Sequence, residues 1–237
     1  MALGYRGNDL WRDMSEYVVH FTKDDGKTDP YKTIMSILFG RVLIPGDRFG
    51  IASKLSAAPA QEAVCFSEIP LDHLGRIADR RKTKYGIGFR QDVLVAAGGA
   101  RVWYVDQGTA LETTIRNLMV RTSTQGGYAP LTDPIWNVTP FIDVPGVYPG
   151  SGGALKPYRF EWEREWRVRG EFRFEVKDVA FLFIPEGLHR AARGFFQDAA
   201  EDNSGPAYGC PFIDPSWDDE RIQREVATHV PPTFRRG

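Results

Sequence analysis

Residues Ala63–Ile77 read AVCFSEIPLDHLGRI, and the change of rhythm inside them decides the fold class. Ala63–Ile69 is short, apolar and rich in strand formers, and Pro70, which has no amide hydrogen for a sheet ladder, ends it. Leu71, Leu74 and Ile77 then recur at three-residue spacing, the apolar edge of a short amphipathic helix. The same alternation continues outward. On the N-terminal side, Glu16–Phe21 (EYVVHF) reads as a strand, and Pro30 opens a helix, PYKTIMSILFG, with Ile34, Ile37 and Leu38 on one face and Gly40 as its stop. RVLIPGDRFG then breaks at Pro45-Gly46 as an ordered loop. On the C-terminal side, YGIGF (Tyr85–Phe89) and VWYV (Val102–Val105) read as strands. Leu111, Ile115, Leu118 and Met119 mark a helix within Gly108–Thr122. Strands around EWRVRG and VAFLFI follow, then a helix over Leu188–Ala200 and a short one over Asp218–Thr228. Ser123–Pro157 is rich in Gly, Pro and Thr, with strand material in WNVTPFIDV; irregular stretches of this length usually carry function. Strands and helices interleave with no repeat and no clean linker. The expectation is one α+β domain over 1–237.

Composition narrows the function classes. Thirty Lys+Arg against 31 Asp+Glu give a formal net charge of −1, which excludes a wholly basic nucleic-acid coat protein but leaves room for local patches. No run approaches the roughly 18 apolar residues of a membrane span, and MALGYRGNDLWRDM lacks a signal-peptide pattern. Two cysteines, Cys65 and Cys210, make no disulfide framework, so a cytoplasmic protein is expected. The four histidines (His20, His73, His189, His229) are scattered without zinc-site spacing, and no metal is expected. A phosphate-binding GxxxxGK[ST] or GxGxxG loop after a strand is also absent.

Four places remain where chemistry fits. His20-Phe21-Thr22 leaves the first strand with an imidazole and a hydroxyl, although a strand-end His is commonly structural. Ser67-Glu68 sits where the AVCFSEI strand stops; its Cys65 has no basic neighbour in sequence to activate it and reads as a small hydrophobe. In EWEREWRV, strand alternation puts Glu161, Glu163 and Glu165 on one face, with Arg167 and Arg169 continuing it and Trp162, Arg164 and Trp166 opposite. A surface of salt-bridged charges and a cleft carboxylate both satisfy that pattern. Lastly, Arg76, Arg80, Arg81, Lys82 and Lys84 crowd nine positions, which suits either a solvated helix end or a phosphate track.

Taken in order, the HFT strand end, CFSEIP, YGIGF, VWYV and EWEREWRV followed by VAFLFIPEG resemble the AbiGi family of bacterial abortive-infection proteins associated with phage resistance. The chain is more remotely similar to ADP-ribosyltransferases, in particular the nucleic-acid-modifying DarT toxins. The resemblance spans residues 16–187, with a C-terminal helix and tail over 188–237. It implies an ADP-ribosyltransferase-like split, mixed or antiparallel β-sheet with flanking helices, and NAD as substrate. By that resemblance His20, Phe21 and Thr22 hold the dinucleotide, Tyr85 stacks near the nicotinamide and Arg48 meets the diphosphate or substrate. Glu165 then stabilises the oxocarbenium-like ribose, in the logic of a preorganised carboxylate; Glu163 shares its predicted face and stays a candidate. The acceptor is DNA or RNA along Arg76–Lys84. An Arg-Ser-Glu arrangement is missing, which disfavours a protein-arginine target. The other readings are a non-catalytic antitoxin or binding protein of an abortive-infection system, and an NAD hydrolase or protein-directed transferase. A cognate antitoxin is implied as partner if the chain is the toxin.

Overall fold

The computed structural model describes residues 14–229 apart from 23–25, 27, 57, 71–72, 121–126, 150–152 and 160; Leu71 and nearly all of the N-terminal MALGYRGNDLWRDM lie outside the described residues. In chain order the elements are β1 (Tyr17–Phe21), α1 (Pro30–Gly40), β2 (Val42–Leu43), β3 (Asp47–Arg48), β4 (Glu62–Glu68), α2 (Leu74–Arg81) and β5 (Gly86–Arg90). There follow α3 (Gln91–Ala96), β6 (Ala100–Arg101), β7 (Trp103–Tyr104), α4 (Ala110–Met119), α5 (Ile135–Val138), β8 (Ile142–Asp143), β9 (Gly146–Pro149) and β10 (Leu155–Tyr158). The last are β11 (Glu165–Arg169), β12 (Phe172–Arg173), β13 (Val179–Phe183), α6 (Glu186–Glu201), β14 (Phe212–Ile213) and α7 (Asp219–His229). The chain is α+β, with a mixed, mainly antiparallel sheet. No helix among the described residues is long and apolar enough to cross a membrane.

These elements gather into two compact units, one from residues 1–42, 66–94 and 173–237, the other from 43–65 and 95–172. In the first, β1 pairs antiparallel with β5 over its whole length (Tyr17↔Arg90 to Phe21↔Gly86), and β5 pairs antiparallel with β13. β14 adds in parallel to β13, while Val18 and Val19 of β1 face Glu68 and Ser67 of β4. Strand alternation divides β1: Tyr17, Val19 and Phe21 join a core with Leu74 and Ala78 of α2, Phe181 and Phe183 of β13, and Ile222 and Val226 of α7. His20 falls on the opposite face, its ring 5.7 Å from that of Phe66. α1 starts as its sequence dictates, with Pro30 in the first turn and the Asp29 side chain accepting from the Tyr31 amide (2.9 Å). It ends one residue later than the glycine suggests. Gly40 is still helical, and Arg41 takes the left-handed conformation (φ 53°) with its amide on the Ile37 carbonyl (2.7 Å).

The second unit holds the β4 residues Glu62–Cys65, with β3 antiparallel beside them (Asp47↔Ala63, Arg48↔Glu62), and β11 paired with β6. β7 and β8 run parallel, and β9 and β10 form an antiparallel hairpin. Two small cores support them, Ala52, Ala58, Met119, Ala129 and Trp136 in one and Val105, Ile115 and Ile142 in the other. Here the sequence expectations need three corrections. RVLIPGDRFG is not all loop: β2 and β3 flank its Pro-Gly break, each too short to show a period. Most of WNVTPFIDV is helical turn, because Asp133 Oδ1 accepts from the Ile135 amide (2.9 Å) and starts α5 there, leaving only Ile142–Asp143 as strand. The strand in EWEREWRV begins at Glu165. Glu161–Glu163 is a 3-10 turn and Arg164 is left-handed (φ 44°), so Glu161 and Glu163 do not share a strand face with Glu165.

Gly88 of β5 is tightly packed: a Cβ there would overlap the ring of the fully buried Phe181. A Gly88→Ala substitution is expected to lower stability by about 1–3 kcal/mol, read as a shifted urea midpoint. An unchanged midpoint would mean the ring has room to move.

Candidate functional site

The second unit contains a cleft of about 560 Å³. One wall is the segment from Arg48 to Leu55. Its path is fixed by backbone bonds: the Phe49 amide donates to the Gln61 carbonyl (2.9 Å) and the Ile51 amide to the Ile142 carbonyl (2.7 Å). Between them Gly50 adopts φ 83°, and a Cβ there would overlap the carbonyl oxygen of Thr139, so both its conformation and its space require glycine. The other wall is the β9–β10 hairpin with Asp143 and Val144. The Tyr148 hydroxyl donates to the Val144 carbonyl and the Tyr158 hydroxyl to Asp143 Oδ2, each at 2.7 Å. The two rings meet edge to face at 6.2 Å.

Behind this wall lies a buried ionic network. Arg167 of β11 is 0% exposed, with Glu165 at 7% and Asp143 at 8%. Its Nε and Nη2 donate to the two oxygens of Glu165 (2.9 Å each), Nη2 also to Asp143 Oδ2 (2.7 Å), and Nη1 to the Pro140 carbonyl (2.7 Å). The guanidinium lies over the Phe49 ring, 4.8 Å from its centroid. Alternation explains the central pair, since positions i and i+2 of a strand share a face. Burial works against the charged form of Arg167, but the charge and hydrogen bonds of Glu165, followed by the Asp143 charge, hold its pKa above the ordinary arginine range. Burial pushes the Tyr158 phenol up, and the neighbouring Asp143 charge adds to it, so Tyr158 stays a neutral donor. Burial, then the Glu165 charge, likewise raises the Cys65 thiol well above its usual range. That keeps the thiolate, which is the nucleophilic form, scarce.

Four cations line the cleft, Arg48, Lys54, Arg116 and Lys156, against the single carboxylate of Asp143. Arg116 is shared with Glu112 (2.8 Å), and Arg48 stands 3.7 Å from Glu62 while donating to the carbonyls of Ala58 and Pro59. Lys54 and Lys156, both exposed, have no ion-pair partner among the described residues. Glu112 accepts from the Gly108 amide (2.6 Å), and its own amide donates to Thr109 at the start of α4. The Gly108 bond, helped by Arg116 and opposed by burial, holds the Glu112 carboxyl below the usual glutamate range.

The residues singled out from the sequence fall in both units. In the first, the Thr22 amide donates to the Tyr85 carbonyl (3.2 Å), so these two are neighbours, and Tyr85 faces Tyr31 with ring centroids 6.0 Å apart. His20 lies on the face of β1 opposite Phe21, near the Phe66 ring, whereas Phe21 turns inward and stacks on Phe183 at 6.0 Å. Of the basic run, Arg76, Arg80, Lys82 and Lys84 are exposed; Arg81 donates to Ser67 Oγ (2.9 Å) and lies over Phe21. Lys82, Lys84 and Tyr85 line a second hollow of about 500 Å³ with Asp29, Asp79 and Thr83. In the second unit, Arg48 lines the cleft and Glu165 lies in the ionic network. Asp143, Tyr148, Tyr158, Lys54, Arg116 and Lys156 escaped the sequence reading, although Asp143, Tyr148 and Lys156 fall within Ser123–Pro157, the stretch whose length and composition signalled function. No group of three or more metal-ligating side chains occurs among the described residues.

Removing one partner of a buried ion pair leaves the others uncompensated. Arg167→Met is therefore expected to destabilise the protein by about 3–5 kcal/mol in chemical denaturation; a loss under about 1 kcal/mol would place the pair on a solvated surface instead. A carboxyl whose folded pKa is depressed stabilises fully above its unfolded pKa, and that contribution is lost as pH falls through the folded value. Glu112→Gln should accordingly flatten the stability profile below about pH 4.3, the unperturbed glutamate value, in melting curves recorded across pH. An acid limb as steep as that of the wild type would remove Glu112 from the account.

A family model described as abortive phage resistance protein AbiGi, antitoxin, matches residues 49–186, and the chain belongs to this family. The match takes in Tyr85, Glu165, Arg167 and Asp143, and begins one residue after Arg48. No curated protein and no solved structure matches the chain.

Proposed function

From membership of the AbiGi family we propose that this chain is the antitoxin of an abortive-infection pair, a binding protein that holds a cognate toxin inactive until infection releases it. The family's antitoxin description supports this reading. The observation that carries it is the state of Glu165, the carboxylate to which the transferase resemblance assigns glycosidic chemistry. Both of its oxygens accept from a fully buried guanidinium, so its charge is already matched inside the protein. A carboxylate that stabilises a ribosyl cation has to direct that charge at substrate in the transition state. The Cys65 thiol, next to the same pair, is held in its unreactive form.

The transferase reading, with NAD held by His20, Phe21, Thr22, Tyr85 and Arg48 and cleaved beside Glu165, forecasts the opposite behaviour in a simple test. The chain is expressed alone in growing bacteria, then together with the product of the gene beside its own. Purified protein is incubated with NAD, with and without DNA or RNA, and free nicotinamide is measured. The antitoxin reading expects normal growth with the chain alone, growth arrest by the neighbouring product alone, rescue by both, and no nicotinamide. Growth arrest by this chain alone that Glu165→Ala relieves, accompanied by nicotinamide release, would overturn it.

A further inference from the structure

The cleft of the second unit is unused by the antitoxin reading, and it is built for a ligand. Its Arg48–Leu55 wall is held by backbone hydrogen bonds and a glycine that no other residue replaces, so the concavity is fixed in the chain alone. At about 560 Å³ it lies in the range of small-molecule sites. Its chemistry is two-sided. Phe49, Tyr148 and Tyr158 give flat aromatic surface, and Ile51, Leu55 and Val144 add apolar lining. Lys54 and Lys156 supply charge that no carboxylate of the described residues answers, with Arg48 and Arg116 beside them. The one acidic lining residue, Asp143, already accepts from Arg167 and Tyr158, which weakens its repulsion of an incoming anion. A ring to stack and an anion of more than one charge, joined within a few ångströms, is what such a surface complements.

We propose that this cleft binds a nucleoside diphosphate, its base among Phe49, Tyr148 and Tyr158 and its phosphates toward Lys54, Lys156 and the neighbouring arginines. The site stands independently of the antitoxin reading, since a binding protein and an enzyme alike can carry it. Its occupancy is a means of coupling the protein to the nucleotide state of the cell: the ligand favours the conformation that holds it by its concentration relative to its Kd.

The test is isothermal titration calorimetry of the full chain with ADP, GDP, CDP and UDP, with adenosine, guanosine, cytidine, uridine and inorganic pyrophosphate as partial ligands. At least one diphosphate should bind with a Kd below about 1 mM, and more tightly than both its nucleoside and pyrophosphate. Lys54→Ala/Lys156→Ala, a change of two exposed side chains, should weaken that binding at least about tenfold while leaving the melting temperature in place. Raising salt from about 50 to about 200 mM should weaken it as well. The proposal is overturned by the absence of heat from every diphosphate at millimolar concentration. It is equally overturned by an affinity that ignores both the lysine substitutions and salt, or by a nucleoside or pyrophosphate that binds as tightly as the diphosphate. Growth rescue by the chain is read separately, so loss of this site and loss of the antitoxin reading give different results.

Discussion

One buried cation organises the second unit. A guanidinium cannot shed its charge at any accessible pH, so once Arg167 is fully enclosed each of its donors needs an acceptor. Those acceptors come from separate places in the chain: Glu165 from the same strand, Pro140 from the turn before β8, and Asp143 from β8 itself. Tyr158 then reaches Asp143 from β10, and Phe49 carries the guanidinium on its ring. The cleft therefore owes much of its shape to a single side chain. Its hairpin wall is fastened to Asp143, and the Arg48–Leu55 wall includes Phe49, the residue that lies against Arg167.

The same arrangement shapes the functional conclusion. Glu165 is committed to the protein's own buried cation, while Lys54 and Lys156, which line the cleft, have no ion-pair partner among the described residues. Buried matched charge gives a rigid site, and exposed unmatched charge gives affinity for anions. Both features are compatible with the binding role proposed above for this member of the AbiGi family.

Most of the fold was legible from residue type, Pro and Gly punctuation and periodicity. The β-branched and aromatic run Glu16–Phe21 and the alternation in EWRVR marked real strands, and the spacing of Ile34 and Leu38 marked a real helix with both residues buried. The pairing of Glu165 with Arg167 was legible for the same reason, because it is a local, same-face relation. What alternation could not reveal was its own starting point. A left-handed Arg164 has no distinctive sequence signal, since it is neither glycine nor asparagine, yet it removes Glu161 and Glu163 from the strand. Arg41 hid in the same way behind the more obvious Gly40. Asp143 and Tyr158 were illegible for a different reason: their meeting with Arg167 joins positions many residues apart through an irregular stretch, and only tertiary structure brings them together.

Whether the Glu165–Arg167 pair is the structural hub of the second unit can be measured directly by a double-mutant cycle in chemical denaturation, using Glu165→Gln, Arg167→Met and the double variant. The network predicts that the losses fail to add, with a coupling energy of about 1.5–3 kcal/mol. Additivity within about 0.5 kcal/mol would contradict it, leaving Glu165 uncommitted to Arg167 and free for chemistry.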